Sequence, residues 1–384
     1  MENRKTIRIG MLGFGSMGKT HTFAVRNLPF YYESLPFDAQ VAGVCTSHAE
    51  SAEKASCNFD IPRFTTDEDE LINAPDIDVI DICTPNLFHY ETLKKSILAG
   101  KHVYCEKPLC TSLAQAREIV ALAKERPDFV GKIVFNNRFL APIQRAKRLV
   151  DEGRLGRILS FSARYLHSSA LDPTNPIGWK QDKSICGGGV LFDLGSHVID
   201  LIYYLCGAFA SVCTATQTVY PERVYKDGGL RATDADEAFY MLAQLKNGAV
   251  GTVSASKIIA GANDDLTLEI FGEKGSLRFS LMDPNFLHFF DNSLPDTTLG
   301  GSRGYTAIEC VGRYPRPGGS FPSPKAPVGW LRGHVESMYC FLNSVFEGRS
   351  SAPDFLDALH VQSVMEAAYR SASSNHWESV EDAL

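Results

Sequence analysis

The chain has 384 residues, of which 44% are hydrophobic, and it carries a formal net charge of −7 at pH 7. A chain of this length is too long for one ordinary hydrophobic core, so we predict two domains. The acidic balance argues against nucleic acid as the main partner.

The sequence predicts a cytoplasmic protein that does not cross a membrane. The longest apolar region, 190–212, contains Asp193, His197 and Asp200, which a membrane span would exclude. The first residues lead into a strand-like segment without the apolar region of a signal peptide. The ten cysteines are scattered and include no Cys-x-x-Cys pair, so we expect reduced, buried thiols and no metal site.

Residues 1–135 alternate short apolar runs with amphipathic stretches. This alternation predicts an α/β domain built on a parallel, doubly wound sheet. We predict strands at 7–12, 41–45, 79–83, 102–105 and 130–135, and helices at 16–27, 49–57, 88–99 and 113–124.

Residues 136–384 follow another pattern, in which several strands succeed one another without helices between them. Asn247-Gly248 lies between two apolar segments and is a strong hairpin signal. The pattern predicts a mainly antiparallel sheet that is open on at least one face, with a long irregular excursion at 283–328. The C-terminal helix is a candidate to pack back on the first domain. We predict helices at 142–152, 333–346 and 355–372, and strands at 157–165, 237–245, 249–257, 266–271 and 276–281.

The segment Gly13-Phe14-Gly15-Ser16-Met17-Gly18 has the G-x-G-x-x-G pattern and lies between the first predicted strand and the first helix. In this context the glycines let the backbone approach a pyrophosphate, and the helix N-terminus supplies N–H groups and positive potential. A plain glycine turn is the alternative. The flanking strand and helix favour dinucleotide binding.

The second predicted strand lacks the acidic residue that commonly binds the adenosine ribose. Thr46 and Ser47 stand at that position, and no arginine is present there to bind a 2′-phosphate. The sequence therefore allows both NAD and NADP, and we favour NAD.

Polar residues after other elements are further candidates. Thr84-Pro85-Asn86 ends a predicted strand, and His89 follows one turn later. These residues could contact the cofactor. The alternative is that the tripeptide caps the next helix and that His89 is a surface histidine. Asn136 and Arg138 end the last parallel strand and could donate hydrogen bonds to a ligand, with a structural arginine as the alternative. Trp179-Lys180 lies in a proline-rich loop and could wall a nicotinamide or sugar pocket, or only anchor the loop.

The tripeptide Glu106-Lys107-Pro108 follows the strand predicted at 102–105. The carboxyl end of a parallel strand is where open α/β sheets bind ligands. An ammonium there can hold a hydroxyl or carbonyl oxygen and tune a neighbouring base. The proline fixes the backbone and admits the rare cis form. A surface turn is the alternative.

A helix that follows a glycine triplet carries Asp193, His197, Asp200 and Tyr204, at spacings of four, three and four, so that they share a face. The segment 187–207 contains no Lys, Arg or Glu, which predicts a mostly buried helix. Buried ionisable groups need partners or a function. The alternatives are a satisfied core Asp–His pair and a histidine that moves a hydroxyl proton.

These motifs, in this order and over nearly the whole chain, resemble the Gfo/Idh/MocA oxidoreductase family. The resemblance implies a Rossmann domain at 1–135 and an α/β domain at 136–384 whose large open sheet forms a homodimer or homotetramer. By position it implies that Lys107, Asp193 and His197 are catalytic, and with Arg138 they are the predicted sugar contacts. The predicted cofactor contacts are Gly13, Phe14, Gly15, Ser16, Met17, Gly18, Thr46, Ser47, Thr84, Pro85, Asn86, His89, Glu106, Lys107, Asn136, Trp179 and Lys180.

The mechanism that this resemblance implies is a hydride transfer from a sugar or cyclitol. His197 takes the hydroxyl proton as general base, and the carbon-bound hydrogen passes as hydride to the nicotinamide. Lys107 stabilises the developing negative charge on oxygen, and Asp193 orients the group.

Within the family, the long connection before the second strand, the loop at 172–180 and the late excursion resemble members that oxidise pyranosides, the levoglucosan and glucoside 3-dehydrogenases. The resemblance implies oxidation of a ring hydroxyl, at C3. The alternatives are an inositol or cyclitol dehydrogenase, a glycosidase that oxidises C3 transiently with bound NAD, and a non-catalytic cofactor sensor. The departures from the family pattern are the missing ribose acid and Lys180, where arginine is more usual.

Overall fold

The computed structural model describes residues 4–225 and 227–381. The chain divides into two compact units, and each of them is discontinuous in sequence. Unit 1 comprises the residues up to 139 together with 314–359, and unit 2 comprises 140–313 together with the residues from 360 onwards.

Unit 1 is built on six parallel strands with helices between them. The strands lie in the order β3-β2-β1-β4-β5-β6, which is the Rossmann order and confirms the predicted doubly wound sheet. In chain order the elements are β1 (Lys5–Leu12), α1 (Ser16–Tyr31), β2 (Phe37–Cys45), α2 (Ala49–Asn58), β3 (Phe64–Thr65), α3 (Glu68–Ile72), β4 (Val79–Ile82), α4 (His89–Leu98), β5 (His102–Cys105), α5 (Leu113–Lys124) and β6 (Gly131–Ile133).

Most differences from the predicted elements of unit 1 are at their ends. The helix α1 continues past Pro29 to Tyr31, because Leu28 and Tyr32 are buried and tertiary packing outweighs local propensity. The strand β3 and the helix α3 were not predicted. Both are too short to show a hydrophobic period, and the N-cap of α3 is Asp67, whose side chain accepts a hydrogen bond from the Asp69 N–H.

Unit 2 is built on a nine-stranded sheet in the order β16-β15-β14-β13-β7-β12-β11-β8-β17. Its neighbouring strands are antiparallel except β7 and β12, which are parallel, so the predicted mainly antiparallel sheet is confirmed. The elements are α6 (Ala141–Asp151), β7 (Ile158–Leu166), α7 (Lys183–Cys186), α8 (Ser196–Cys206), β8 (Phe209–Gln217), β9 (Glu222–Val224), β10 (Leu230–Ala232), β11 (Ala238–Leu245), β12 (Val250–Ser256), β13 (Asp265–Gly272), β14 (Gly275–Ser280), β15 (Phe286–Asp291), β16 (Tyr305–Glu309) and, near the C-terminus, β17 (Glu378–Ser379).

The prediction that residues 283–328 are irregular throughout is wrong, because β15 and β16 lie within them. The strand β15 alternates in burial, with Leu287 and Phe289 buried, and it pairs with β14 and β16. The Gly and Pro content of the surrounding segment hid this short alternation.

Two long helices follow β16 in the chain, α9 (Trp330–Glu347) and α10 (Phe355–Ser374). The helix α9 belongs to unit 1, where Met338 and Phe341 are buried in one core with Ile7 and Ile9 of β1. Each such side chain contributes about 1.5–3 kcal/mol to stability when it is fully buried. The helix α10 starts in unit 1 and continues into unit 2.

One helical stretch in the described part of the chain, 183–206, is long and apolar enough to cross a membrane by length and composition. Of its most apolar window, 78% is buried inside the protein. The core helix of a globular protein has the same length and composition.

Candidate active site

The strand order of unit 1 places a topological switch point between β1 and β4. Gly13–Gly18 follows β1 and Thr84–Asn86 follows β4, so these two segments flank the switch point. Doubly wound sheets bind ligands in the crevice outside the carboxyl ends of the strands at such a point. Because all six strands are parallel, Thr46, Lys107 and Asn136 lie at the same edge of the sheet.

The glycine-rich loop has the shape that a pyrophosphate needs. Gly13 has φ +86°, and a Cβ there would lie 2.7 Å from the carbonyl oxygen of Cys83. A Cβ on Gly18 would lie 2.5 Å from the carbonyl oxygen of Gly13. Apart from Gly15 and its two chain neighbours, no described residue has an atom within 4 Å of the position that a Cβ on Gly15 would take. The fold therefore requires the first and third glycines, while the second leaves space beside the N-terminus of α1 for a phosphate.

Carboxylates lie near the end of β2, where the ribose-binding acid was missing from the sequence pattern. Thr46 directly follows Cys45, the last residue of this strand. Burial raises the pKa of Cys45 to about 11, and carboxylates at the start of α3 add to the rise. These carboxylates belong to Asp67, Glu68 and Glu70. A 2′-phosphate at this end of the sheet would face like charges.

His89 is completely buried between the segments that follow β4 and β5. Its Nδ1 lies 2.8 Å from the carbonyl oxygen of Pro108, and its Nε2 lies 3.0 Å from the carbonyl oxygen of Thr84. Burial lowers the pKa of His89, and a neutral imidazole donates to one of these two carbonyls. The contacts give His89 a structural role beside Lys107, and the predicted cofactor contact stays a prediction.

Lys107 is half-buried and directly follows the buried carboxylate of Glu106. The Lys107–Pro108 peptide bond is cis, the form that the sequence admitted. The backbone N–H of Lys107 lies 3.2 Å from Glu106 Oε2. Burial raises the pKa of Glu106, but His21 and then Lys107 outweigh it and lower the pKa to about 2. A carboxylate thus stands directly beside the ammonium-bearing residue.

The segment after β6 is buried. Asn136 Nδ2 donates to Asn137 Oδ1 at 3.3 Å, and Arg138 Nη2 donates to Asp357 Oδ1 at 3.2 Å. The Arg138 side chain is only 3% exposed, so this ion pair favours the structural alternative. The sugar contact of Arg138 and the cofactor contact of Asn136 stay predictions.

Among the described residues, one group of side chains in unit 1 has the spacing of a metal site. His21, Asp81 and Cys83 offer ligand atoms within 4.8 Å of one another. These atoms already form hydrogen bonds with one another. The expectation that the cysteines hold no metal stays a prediction.

In unit 2, the carboxylate of Asp236 accepts hydrogen bonds at the start of the helical segment that carries Asp193 and His197. Asp236 Oδ1 accepts from the N–H of Gly189, and Oδ2 accepts from the N–H of Leu191, each at 3.0 Å. A Cβ on Gly189 would lie 2.1 Å from the carbonyl oxygen of Asp236. Glycine is therefore required here, because the helix start and the chain entering β11 are in direct contact.

Asp193 lies between two ammonium groups, on a π-helical turn (Leu191–Gly195) that continues as α8. Lys180 Nζ lies 3.0 Å from both carboxylate oxygens, and Lys257 Nζ lies 2.8 Å from Oδ2. The Lys180 side chain is 46% exposed, whereas that of Lys257 is 10% exposed. Lys180 Nζ also lies 5.6 Å from the centre of the Trp179 ring. The buried ammonium of Lys257 is screened less by water and fixes the carboxylate more firmly.

His197 packs against a tyrosine that is bonded to a second carboxylate. The ring centres of Tyr165 and His197 are 5.9 Å apart. Tyr165 Oη donates to Asp264 Oδ1 at 2.5 Å, and His167 Nε2 lies 2.9 Å from the same oxygen. Burial raises the pKa of Asp264, but the hydrogen bonds from His167 and Tyr165 outweigh it and hold the pKa below its usual value.

The predicted mostly buried helix is confirmed. Asp200 is buried, and Asp193, His197 and Tyr204 are half-buried. The prediction that ionisable groups on this helix have partners is confirmed for Asp193, which has two lysines.

Sequence reasoning missed Lys257, Tyr165 and Asp264. The parallel strands β7 and β12 end together, with Leu166 paired to Ser256, so the residues that follow them lie at one edge of the sheet. Hairpin signals predict antiparallel pairing only, and therefore the parallel pairing of β7 with β12 was not predicted. Lys257, the last residue of the strand predicted at 249–257, was the available signal, because strand ends carry ligand contacts.

Comparison with known proteins identifies the class that this fold and these sites define. Residues 7–132 match the model of an oxidoreductase family with an NAD-binding Rossmann fold, and residues 143–278 match the model of the GFO/IDH/MocA C-terminal domain. The protein is therefore an oxidoreductase with an NAD-binding domain. The chain belongs to the Gfo/Idh/MocA family, as the sequence motifs predicted.

Similar proteins include sugar dehydrogenases. The chain is 31% identical over 390 residues to levoglucosan dehydrogenase of Pseudarthrobacter phenanthrenivorans, covering 98% of each chain. It is 30% identical over 209 residues to D-glucoside 3-dehydrogenase of Escherichia coli, covering 52% of this chain and 54% of that one. A solved structure of levoglucosan dehydrogenase in complex with NADH and levoglucosan has a TM-score of 0.93 at 32% identity, covering 98% of this chain and 100% of that chain. The predicted resemblance to this part of the family is confirmed.

Proposed function

We propose that the protein is an NAD-dependent sugar dehydrogenase that oxidises a ring hydroxyl of a pyranoside or anhydrosugar, at C3. The observation that carries this proposal is the likeness, over almost the full length of both chains, to a levoglucosan dehydrogenase whose structure holds NADH and levoglucosan. The likeness to D-glucoside 3-dehydrogenase supports C3 as the position of oxidation.

The proposed cofactor is NAD, held by Gly13–Gly18 and Thr84–Asn86 at the switch point of unit 1. When bound, its nicotinamide supplies the hydride acceptor. The open space at Gly15 and the N-terminus of α1 support pyrophosphate binding there. The carboxylates of Asp67 and Glu70 near the end of β2 support NAD over NADP, because they would repel a 2′-phosphate.

The proposed catalytic residues are Lys107, Asp193 and His197. His197 takes the proton of the sugar hydroxyl while the carbon-bound hydrogen leaves as hydride, and the hydroxyl becomes a carbonyl. The ammonium of Lys107 stabilises the negative charge that develops on the oxygen. Asp193, fixed by Lys180 and Lys257, orients the base.

The test is turnover with a panel of pyranosides, levoglucosan and inositols in the presence of NAD, followed by the absorbance of NADH. We expect activity with a pyranoside or anhydrosugar, and a loss of ~10²–10⁴-fold in Lys107→Ala and in His197→Ala. Lys54→Ala and His376→Ala, at exposed positions, are matched controls that keep full activity.

No turnover with any sugar would overturn the proposal. Turnover restricted to inositols would indicate a cyclitol dehydrogenase instead. Release of the aglycone from a glycoside without net formation of NADH would indicate the NAD-dependent glycosidase. Product analysis of the oxidised sugar by NMR distinguishes C3 from the other ring positions.

We also propose that the open face of the unit 2 sheet joins subunits into a homodimer or homotetramer in the cytoplasm. Tyr240 and Leu242 of β11 and Val250 of β12 lie on one face and are 53%, 49% and 46% exposed. Apolar side chains clustered on a sheet face are typical of protein interfaces. Light scattering of the protein and of Leu242→Lys measures the mass, and a monomeric wild-type protein would contradict this proposal.

A further inference from the structure

A row of buried ionisable side chains lies in unit 1, one turn into α1 from the glycine-rich loop. His21 of α1 is completely buried, and its Nδ1 lies 2.9 Å and 3.1 Å from the two carboxylate oxygens of Asp81 in β4. Its Nε2 forms an ion pair with Glu106 Oε1 at 3.2 Å, without the alignment of a hydrogen bond. Asp81 is also completely buried, and Glu106 is 8% exposed.

An imidazole with a carboxylate against each ring nitrogen is stabilised as the imidazolium. Burial lowers the pKa of His21, but the Asp81 carboxylate outweighs it and the pKa lies well above its usual value. The positive charge of His21 in turn lowers the pKa of Glu106 against the effect of burial. The three groups therefore form a buried anion–cation–anion row.

The row ends beside Lys107. The backbone N–H of Lys107 lies 3.2 Å from Glu106 Oε2, and the charge of Lys107 is one of the causes that lower the pKa of Glu106. The charges thus alternate along Asp81, His21 and Glu106, and the next residue in the chain, Lys107, carries a further positive charge. Neighbouring charges in a buried site interact strongly because little water screens them.

The other groups around His21 carry no competing charge. The ring centre of His334 in α9 is 6.0 Å from that of His21. Burial and then the charge of His21 lower the pKa of His334 to about 3, so this histidine is neutral. Neither ring nitrogen of His334 has a hydrogen-bond partner in the described part of the chain. The Cys83 thiol lies 3.2 Å from His21 Nδ1, and the ring centre of Tyr104 is 5.1 Å from that of His21. Burial raises the pKa of both groups, so both are uncharged.

We propose that His21 is a positioning residue: its imidazolium, held between Asp81 and Glu106, fixes the Glu106 carboxylate and through it sets the protonation of Lys107. The inference deepens the proposed function, on which it rests for the role of Lys107. It assigns a task to a charge that is completely buried in unit 1.

The test compares His21→Gln, Glu106→Gln and His334→Gln. In His21→Gln the two carboxylates lose their cation, so the pKa of Lys107 rises and the alkaline limb of the pH profile of kcat moves up by roughly one unit. In Glu106→Gln the ammonium of Lys107 loses its neighbouring anion, so its pKa falls and the alkaline limb moves to lower pH by about one unit. His334→Gln is the matched control, a buried neutral histidine, and it leaves the limb in place.

A second readout needs no turnover. The rate at which a small anhydride acylates Lys107, followed by mass spectrometry as a function of pH, measures the same pKa in each variant. NMR of the imidazole nitrogens of His21 at pH 7 shows whether the ring is doubly protonated. If the wild type turned over no sugar, the proposed function would fail, while these two measurements would still decide the charge row.

Opposite shifts in His21→Gln and Glu106→Gln, with a doubly protonated His21, would support the proposal. A neutral His21, or a midpoint of Lys107 labelling that does not move in His21→Gln, would overturn it. So would a stoichiometric bound metal at His21, Asp81 and Cys83, since a metal would replace the imidazolium proton. A variant that loses activity with an unmoved labelling midpoint shows a structural role only.

Discussion

The ammonium of Lys257 lies 2.8 Å from the Oδ2 atom of Asp193, and the two side chains are 10% and 16% exposed. Lys257 follows β12 directly, whereas Asp193 lies on the π-helical turn before α8. The sheet of unit 2 therefore fixes the carboxylate that we propose to orient the catalytic base.

Replacing Lys257 by methionine is expected to lower kcat by about tenfold or more, which corresponds to roughly 1.4 kcal/mol of transition-state stabilisation. The reason is that Asp193 loses its buried partner. Lys180→Met is the comparison, measured at saturating NAD because Lys180 is also a predicted cofactor contact. Its ammonium contacts the same carboxylate but is exposed, and exposed pairs contribute only ~0–1 kcal/mol. Steady-state kinetics of both variants provide the measurement. Equal losses of kcat in the two variants would contradict the prediction that Lys257 contributes more than Lys180.

Replacing Tyr165 by phenylalanine removes the hydroxyl that donates to Asp264. Because the Asp264 side chain is 40% exposed, we expect a loss of only about 1 kcal/mol in the free energy of unfolding at neutral pH. The pKa of Asp264 is lowered in the fold, so its contribution is present above the ordinary aspartate pKa of about 4 and is lost as the pH falls through the lower folded value.

The difference in unfolding free energy between wild type and Tyr165→Phe should therefore be constant between about pH 5 and 9 and shrink in more acidic solution. Denaturant titrations across this range provide the measurement. The exposed Tyr305→Phe is the control and should show no such dependence. A difference that grows as the pH falls would show that Tyr165 acts through another group.

Removing the negative charges at the end of β2 is expected to improve the use of NADP. In Asp67→Asn/Glu70→Gln, the ratio of kcat/KM with NADP to that with NAD should rise by roughly tenfold, because two like charges near a 2′-phosphate are removed. Asparagine also caps helices, so α3 keeps its N-cap. Glu222→Gln, at an exposed position in unit 2, serves as the control. An unchanged ratio would mean that these carboxylates do not select the cofactor.

Alanine substitutions in the dinucleotide loop are expected to affect cofactor binding at Gly15 and stability at Gly18. Gly15→Ala should melt at nearly the wild-type temperature and bind NADH at least several-fold more weakly, because its Cβ enters the open space reserved for the cofactor. Gly18→Ala should be destabilised, since its Cβ would lie 2.5 Å from the carbonyl oxygen of Gly13. Melting curves and fluorescence titration with NADH distinguish the two. Equal melting losses in both variants would contradict the assignment.

The sequence predicted much of unit 1, because parallel strands and amphipathic helices carry clear periods and the glycine-rich loop has a fixed context. The strand 102–105 and the helix 113–124 were predicted with the observed ends. Short elements such as β3 were missed, since two residues cannot show a period.

The contacts of individual side chains were less predictable. The spacing of Asp193 and His197 was visible, but their neighbours Lys257 and Tyr165 come from strands that pair in parallel far apart in sequence. His89 looked like a surface histidine or a cofactor contact, and the fold buries it against two backbone carbonyls. Such pairings depend on the register of the sheet, which local sequence does not encode.

The helix α9 has a consequence for anyone who wishes to transplant the dinucleotide-binding unit. A chain that ended at Phe139 would contain all six strands of the sheet, yet it would lack Met338 and Phe341, which fill the core beside β1. It would also lose Ser337, whose hydroxyl lies 2.7 Å from that of Tyr104 in β5. A functional graft must therefore carry two separate pieces of the gene, and a single contiguous cassette exposes a large apolar face and aggregates.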